Sequence, residues 1–238
     1  MKAMVFAAGL GTRLKPFTDS HPKALALVHG KPLLEHTIRY LQKAGITEVV
    51  VNVHHFADQI EAVLQRENGF GSRVQVSDER DEVLETGGGL LKALPFLQDS
   101  DPVVVLNVDV LTNLNLPALL ASHQHRSAAA TLAVMRRSSS RYLLFDNDLR
   151  LCGWRNEKTS VEKLPRPIPE LQPLAFSGIQ VLSRHFLESV PLRGKFSMID
   201  AYLHLANDVS IYGFDHTGDV FLDVGKPEAI AQAAGLLL

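Results

Sequence analysis

Four charged residues at widely spaced positions have the types that phosphate chemistry needs: Arg13, Lys23, Asp109 and Asp223. Arg13 closes a short glycine loop, Ala7-Ala8-Gly9-Leu10-Gly11-Thr12-Arg13, at the end of an apolar run over residues 2–8. Glycines let backbone N–H groups approach phosphate oxygens with no Cβ in the way. An arginine fork can grip a phosphate through two N–H bonds. The loop is not a Walker loop, since no Gly-Lys-Ser/Thr closes it, and Leu14 stands where a dinucleotide fingerprint has its third glycine. Alone, it also reads as a plain turn. Lys23 follows Pro22, and alone it reads as a solvated surface lysine.

Asp109 ends the apolar run Val103-Val104-Val105-Leu106-Asn107-Val108, and Asp223 ends Val220-Phe221-Leu222. Burying an unpaired carboxylate is costly. Two carboxylates converging on one rim would suit Mg²⁺, which takes one or two of them beside phosphate and water oxygens. Either aspartate alone is also an ordinary cap or turn residue. Glu85-Thr86-Gly87-Gly88-Gly89 places three glycines at a helix start. Such a stretch lets a flat group, a base for example, lie against the main chain, or it is a flexible helix end. His54, His55 and His123 have no metal-ligand spacing and are read as structural.

These residues need a frame that brings distant segments together. Apolar runs at 2–8, 49–53, 74–77 and 103–108 read as buried strands. Helical spacing intervenes: Pro32 opens a helix carrying Leu34, Ile38 and Leu41 toward a stop at Gly45, and residues 56–66 and 87–97 supply two more. This alternation predicts an α/β fold, three-layered and Rossmann-like, with a mixed, mainly parallel sheet. Right-handed crossovers place the C-terminal strand ends on one rim, where such sheets bind ligands. After residue 128 the pattern changes to hairpin-like strands at 129–135 and 142–154, a proline-rich loop over 156–173, and a strand at 175–182. A helix at 197–206, strands at 209–214 and 220–223 and a closing helix at 227–238 complete the chain. A single domain over 1–238 is expected, with a change of pattern between a first half (1–127) and a second half (128–238).

Composition narrows the class. The 238 residues are 46% hydrophobic and 21% charged, an ordinary globular mixture. A net charge of −2 provides no global basic field for nucleic acid. Cys152 is the only cysteine, which excludes an internal disulfide and CxxC metal sites. The first apolar stretch is too short for a signal peptide, and no run of about 18 apolar residues suggests a membrane span. A cytoplasmic protein without nucleic-acid or membrane partners is expected. Oligomeric state stays open.

The ordered set is more specific than its parts. The GxGTR loop, the Pro-Lys about ten residues on, Glu-Thr-Gly-Gly-Gly, the strand-end Asn107-Val108-Asp109 and the late Asp223-Val224-Gly225 together resemble the nucleoside-diphosphate-sugar pyrophosphorylases. The resemblance spans nearly the whole chain. It is nearest in look to bacterial N-acetylmuramate-1-phosphate uridylyltransferases, which share the Phe176-Ser177-Gly178-Ile179 pattern. Mannose-1-phosphate guanylyltransferases come second. The family usually has Pro after the Pro-Lys, Gly before the strand-end Asp, Trp two residues before the late Asp, and Thr after Asp-Val-Gly. Here those places hold Ala24, Val108, Phe221 and Lys226.

The resemblance implies the nucleotide-diphospho-sugar transferase fold, with residues 1–127 as its nucleotide-binding half and 128–238 as its sugar-phosphate-binding half. It implies attack of a sugar 1-phosphate oxygen on the α-phosphorus of a nucleoside triphosphate, with pyrophosphate leaving and Mg²⁺ as cofactor. Arg13 and Lys23 would be catalytic and Asp109 and Asp223 would hold the metal. Ala7, Ala8, Gly9, Gly11, Thr12, Arg13, Lys23, Glu85, Thr86, Gly87, Gly88 and Asn107 would contact the nucleotide. Glu162, Lys163, Ser177 and Gly178 would contact the sugar phosphate, with Glu157-Lys158 as a rival pair. Val108 would add bulk near the metal. Alternatives remain: a noncatalytic sugar-nucleotide sensor, a transferase for a polyol or choline phosphate, and a Rossmann oxidoreductase, against which the missing glycine counts.

Overall fold

The structure is a computed structural model that describes residues 1–233 and 235. Its centre is a mixed sheet with ten strands among the described residues. Four run parallel in the order Val103–Asn107, Lys2–Phe6, Glu48–Val53 and Arg73–Asp78. The long strand Gln172–Leu182 joins antiparallel to Val103–Asn107 and carries the sheet into the second half. There Ala130–Met135 pairs with it, and Ile211–Asp215 lies parallel beyond. Arg141–Phe145 and Leu151–Asn156 form a hairpin on its other end.

Side chains alternate across the first strand between two cores. Ala3 and Val5 pack with Val49, Val51, Val104 and Leu106 on one face, while Met4 and Phe6 pack with Val50, Val103 and Val105 on the other. A strand buried on both faces reads as a continuous apolar run, which is why these segments stand out in the sequence. The first face is covered by helices Leu33–Lys43, Ala57–Arg66 and Leu116–His125, and the second by Glu85–Leu97, Arg184–Ser189 and Met198–Leu205.

Several expectations change. Pro32 precedes the first helix rather than starting it, in extended backbone at φ −65°. The segment 156–173 is not all loop. Val161–Lys163 forms an edge strand on Leu151–Asn156, and its side chains are exposed, so no apolar signal marks it. Helices Leu116–His125 and Arg184–Ser189 were not anticipated. The first had a readable start: Asn115 Oδ1 accepts from the Ala118 N–H at 3.0 Å, with a proline in the first turn. The last helix is described over Pro227–Ala233; the rest of the expected 227–238 helix lies outside the described residues, apart from Gly235.

Candidate active site

The parallel strands end on one rim, and the chemistry-bearing segments leave from it. After Phe6 the chain enters the glycine loop, anchored at its start by a neighbouring strand. Asn52 Oδ1 accepts from the Ala7 N–H at 2.7 Å and the Ala8 N–H at 3.3 Å. Gly9 has no neighbour within 4 Å of where a Cβ would sit. Among the described residues the N–H groups of Gly9, Leu10 and Gly11 donate to nothing. Gly11 adopts φ +61° and lies so close to Thr18 and Lys23 that a Cβ would come within 2.9 Å of Thr18 Cγ2. A short 3₁₀ turn, Thr12–Leu14, buries Leu14 and leaves Arg13 exposed.

Lys23 is 9% exposed, held in a second 3₁₀ turn, Lys23–Leu25, after Pro22. Its ammonium contacts Asp109 directly and lies 3.9 Å from Asp223 Oδ1. The two aspartates meet because Phe221–Asp223 pairs antiparallel with Val110–Thr112, in a register that sets Asp223 opposite Val110. The Val224 N–H then donates to the Asp109 carbonyl at 2.8 Å. Arg13 Nη2 lies 3.7 Å from Asp223 Oδ2. Gly225 makes room for that approach, since a Cβ there would meet Asp223 Oδ1 at 2.7 Å and Arg13 Nη2 at 2.8 Å. Burial and the Asp109 charge push the Asp223 carboxyl above its ordinary value, against the pull of Lys23, Arg13 and Arg137. Residues separated by some 200 positions thus form one cluster of two carboxylates and two cations.

Val108 does not add bulk to this cluster. It is 4% exposed and belongs to the core with Leu33, Leu34 and Ile38, while its carbonyl accepts from Thr37 Oγ1 at 3.2 Å. Asn107 approaches Gly178, which sits at φ +73°, so that a Cβ there would meet Asn107 Nδ2 at 2.6 Å.

The second glycine run is placed differently from a loop that cradles a base. Glu85 to Gly89 are already helical, within Glu85–Leu97. The N–H groups of Gly87 and Gly88 both donate to the Phe196 carbonyl, at 2.9 and 3.3 Å. A Cβ on Gly88 would meet the Gly194 carbonyl at 2.2 Å, and one on Gly87 would meet Phe196 Cε2 at 2.2 Å. Thr86 Oγ1 accepts from the Met198 N–H at 2.9 Å. Glu85, exposed and at φ +59°, stands where the chain enters the helix.

Behind this run lies a residue that sequence reading missed. Glu79 is fully buried, and its Oε1 accepts from Asn52 Nδ2 at 2.7 Å. Its Oε2 accepts from the Leu84 N–H at 3.4 Å. Burial raises its carboxyl above the ordinary value, and the Asn52 bond offsets part of that. Asn52 therefore links the glycine loop, through Glu79, to the start of the 85–97 helix. An acidic residue just after a buried strand was the available signal.

On the second half, Glu162 Oε2 accepts from Arg155 Nε at 2.6 Å, and Lys163 lies 3.6 Å from Asp200 Oδ1. Glu157 lies 3.8 Å from Arg155. Ser177 is 1% exposed and its hydroxyl is bonded to His216 Nε2 at 2.7 Å, so its side chain faces the interior. Among the described residues no group of three or more His, Cys, Asp and Glu gathers to hold a metal, and no helix is long and apolar enough to cross a membrane.

Comparison with known proteins covers the whole of this arrangement. A family model described as nucleotidyl transferase matches residues 2–238. N-acetylmuramate alpha-1-phosphate uridylyltransferase of Caulobacter vibrioides is 34% identical over 99% of this chain and 96% of its own length. Mannose-1-phosphate guanyltransferase beta-A of Xenopus laevis is 28% identical over 96% of this chain, which spans 62% of that longer protein. The crystal structure of HddC from Yersinia pseudotuberculosis superposes with a TM-score of 0.80 at 24% identity, over 98% of each chain, a likeness of fold.

Proposed function

The chain belongs to the nucleotidyl transferase family and is a sugar-1-phosphate nucleotidyltransferase; from that premise we propose that it joins UTP to N-acetylmuramate 1-phosphate, releasing pyrophosphate. The observation that carries the reaction is the rim cluster: Asp109 and Asp223 side by side, Lys23 between them, and Arg13 at the mouth of a loop with free N–H donors. The choice of substrate rests on the full-length likeness to the Caulobacter enzyme.

Direct transfer between two phosphates needs no protein nucleophile. Catalysis is then positioning plus neutralisation of charge. The free N–H groups of Gly9, Leu10 and Gly11 bind triphosphate oxygens. Arg13 neutralises the pyrophosphate as it leaves. Lys23 exchanges its contact with Asp109 for the α-phosphate. Glu85 and Thr86 lie beside the base, and Asn107, against Gly178, lines the floor between nucleotide and sugar. Gly87 and Gly88 serve the base by letting this helix start lie close, since their own N–H groups are committed. Glu162 and Lys163 reach the sugar phosphate only by exchanging Arg155 and Asp200, while Ser177 and Gly178 shape the floor from beneath.

The carboxylate pair fits a Mg²⁺ ion. Burial, and then the neighbouring Asp109 charge, make the Asp223 carboxyl resist ionisation, and a cation between these two hard oxygen donors would relieve that. Asp109 and Asp223 would hold it, and when bound it would supply charge neutralisation on the reacting phosphates.

The test is pyrophosphate release from each nucleoside triphosphate against a panel of sugar 1-phosphates with Mg²⁺. The reading predicts the fastest turnover with UTP and N-acetylmuramate 1-phosphate. Faster turnover with GTP and mannose 1-phosphate would overturn the substrate assignment in favour of the activity named for the Xenopus relative. Silence across the whole panel would favour a noncatalytic sensor.

A further inference from the structure

Arg137 is a half-buried guanidinium just beyond the strand Ala130–Met135. Its neighbour Arg136 lies 4.0 Å from Asp215, whereas Arg137 has no carboxylate within ion-pair distance among the described residues. Nη2 donates to the Phe176 carbonyl at 2.9 Å, and Nη1 approaches the Ser138 carbonyl at 3.5 Å. The buried Nε has no hydrogen-bond partner among the described residues. The guanidinium carbon sits 4.5 Å from the centroid of the Phe221 ring. Burial lowers its pKa and the Asp223 charge raises it, so the two groups feel each other electrostatically.

The register makes this placement meaningful. Phe221 and Asp223 are two apart in one strand and so present their side chains on the same face. A guanidinium stacked on Phe221 therefore lies on the face from which Asp223 reaches the rim cluster. Arg13 comes to Asp223 from the first half of the chain, and Arg137 comes from the second. A half-buried arginine held against an aromatic ring, with an N–H to spare and no carboxylate partner among the described residues, is prepared for a multiply accepting anion such as phosphate.

We propose that Arg137 binds the phosphate of the sugar 1-phosphate, supplying an acceptor-side cation with no carboxylate to give up, whereas Lys163 must first leave Asp200. The inference rests on the reading of the reaction above. It divides the cations by substrate: Arg13 and Lys23 serve the triphosphate, and Arg137 serves the attacking phosphate.

The experiment varies each substrate separately with R137A and R137Q enzymes. The expected result is a rise in KM for the sugar 1-phosphate of roughly 10- to 100-fold, the scale of a lost charge-assisted hydrogen bond. KM for the nucleoside triphosphate should stay within about twofold, since its own cations are untouched. R137K, which keeps the charge and loses the fork, should fall between wild type and R137A. Equal rises for both substrates, or no rise in a folded variant, would overturn the proposal. Loss of the Phe221 stack could unfold R137A, in which case R137Q and R137K decide by the same two KM values. A second arm needs no turnover: sugar 1-phosphate alone should raise the melting temperature of wild type and leave that of R137Q unmoved. If wild type binds the sugar 1-phosphate through Arg137 but releases no pyrophosphate with any triphosphate, the reaction reading fails and this inference stands. If wild type turns over and the variants match it, the inference fails alone.

Discussion

The chain contains two glycine runs that look alike in one dimension and do opposite work in three. At Gly9 the backbone is open: among the described residues nothing lies within 4 Å of a Cβ there and its N–H is unspent, while Gly11 packs against Thr18 and Lys23. At Gly87, Gly88 and Gly89 every Cβ position is filled, by Phe196, by the Gly194 carbonyl and by the Glu79 and Asn52 side chains. There the glycines let a helix press against the 194–196 segment and over a buried carboxylate. The first run offers donors to a ligand, and the second uses its donors on the Phe196 carbonyl. Glycine content alone therefore does not identify a phosphate or base cradle. What distinguishes Gly9 from the second run is whether the missing Cβ leaves space or is replaced by protein.

Substitutions can break this contrast, beginning with the largest effect. Arg13→Ala should lower kcat by roughly 10²- to 10³-fold, on the scale of lost transition-state donors. Its melting temperature should barely change, since its pairing with Asp223 is an exposed one worth at most about 1 kcal/mol. Steady-state pyrophosphate release and calorimetry on the same sample read both quantities, and wild-type turnover would remove the first loop from the chemistry.

Gly88→Ala should do the reverse. A Cβ at 2.2 Å from a backbone oxygen forces the helix to move, an overpacking cost of about 1–3 kcal/mol. That corresponds to a melting point lower by roughly 2–12 °C in a chain of this size. An unchanged melting point would show that the second run has slack.

Glu79→Gln probes the link between the runs through pH. The folded state raises the Glu79 pKa, so its protonated form is favoured on folding. That contribution to stability is fully present below the ordinary glutamate value and is lost as pH rises through the raised value. Melting temperature followed upward from acid pH should therefore fall less in Glu79→Gln than in wild type. Parallel profiles would show that Glu79 titrates as it does in the unfolded chain.

Gly9→Ala should change stability least, by under about 0.5 kcal/mol, because its backbone is not in the left-handed region and its surroundings are open. A several-fold rise in KM for the nucleoside triphosphate would still be expected on the proposed function, because the new methyl group stands beside the N–H donors assigned to the triphosphate. A large loss of stability would mean that the first run, too, is a packing device.

Much of the frame was legible because buried parallel strands announce themselves. Ala3 to Phe6 and Val103 to Leu106 are apolar on both faces, and their shortness and β-branched content suit a buried strand. Val161–Lys163 was illegible for the complementary reason. An exposed edge strand made of Val, Glu and Lys is held by backbone hydrogen bonds, which leave no hydrophobic pattern. The direction of Ser177 was illegible because a serine on a strand carries no mark of which side it faces; the structure turns its hydroxyl inward to His216. Glu79 and Arg137 passed unnoticed because, in a sequence, a buried charge looks the same as a solvated one.

The sequence by itself determined which groups are available: an apolar strand before each functional turn, glycines where the main chain must come close, and four charged anchors in an order that resembles one enzyme family. Those properties belong to single residues and their near neighbours, so they survive in one dimension. Only the tertiary structure decided which groups meet. The pairing of Phe221–Asp223 with Val110–Thr112 brings Asp223 to Asp109, and helix packing consumes the second glycine run. The same strand pairing leaves Arg137 over the Phe221 ring, with no carboxylate partner among the described residues. Contacts of this kind depend on strand register and on what fills the space around a side chain, and neither is a property of any local stretch of chain.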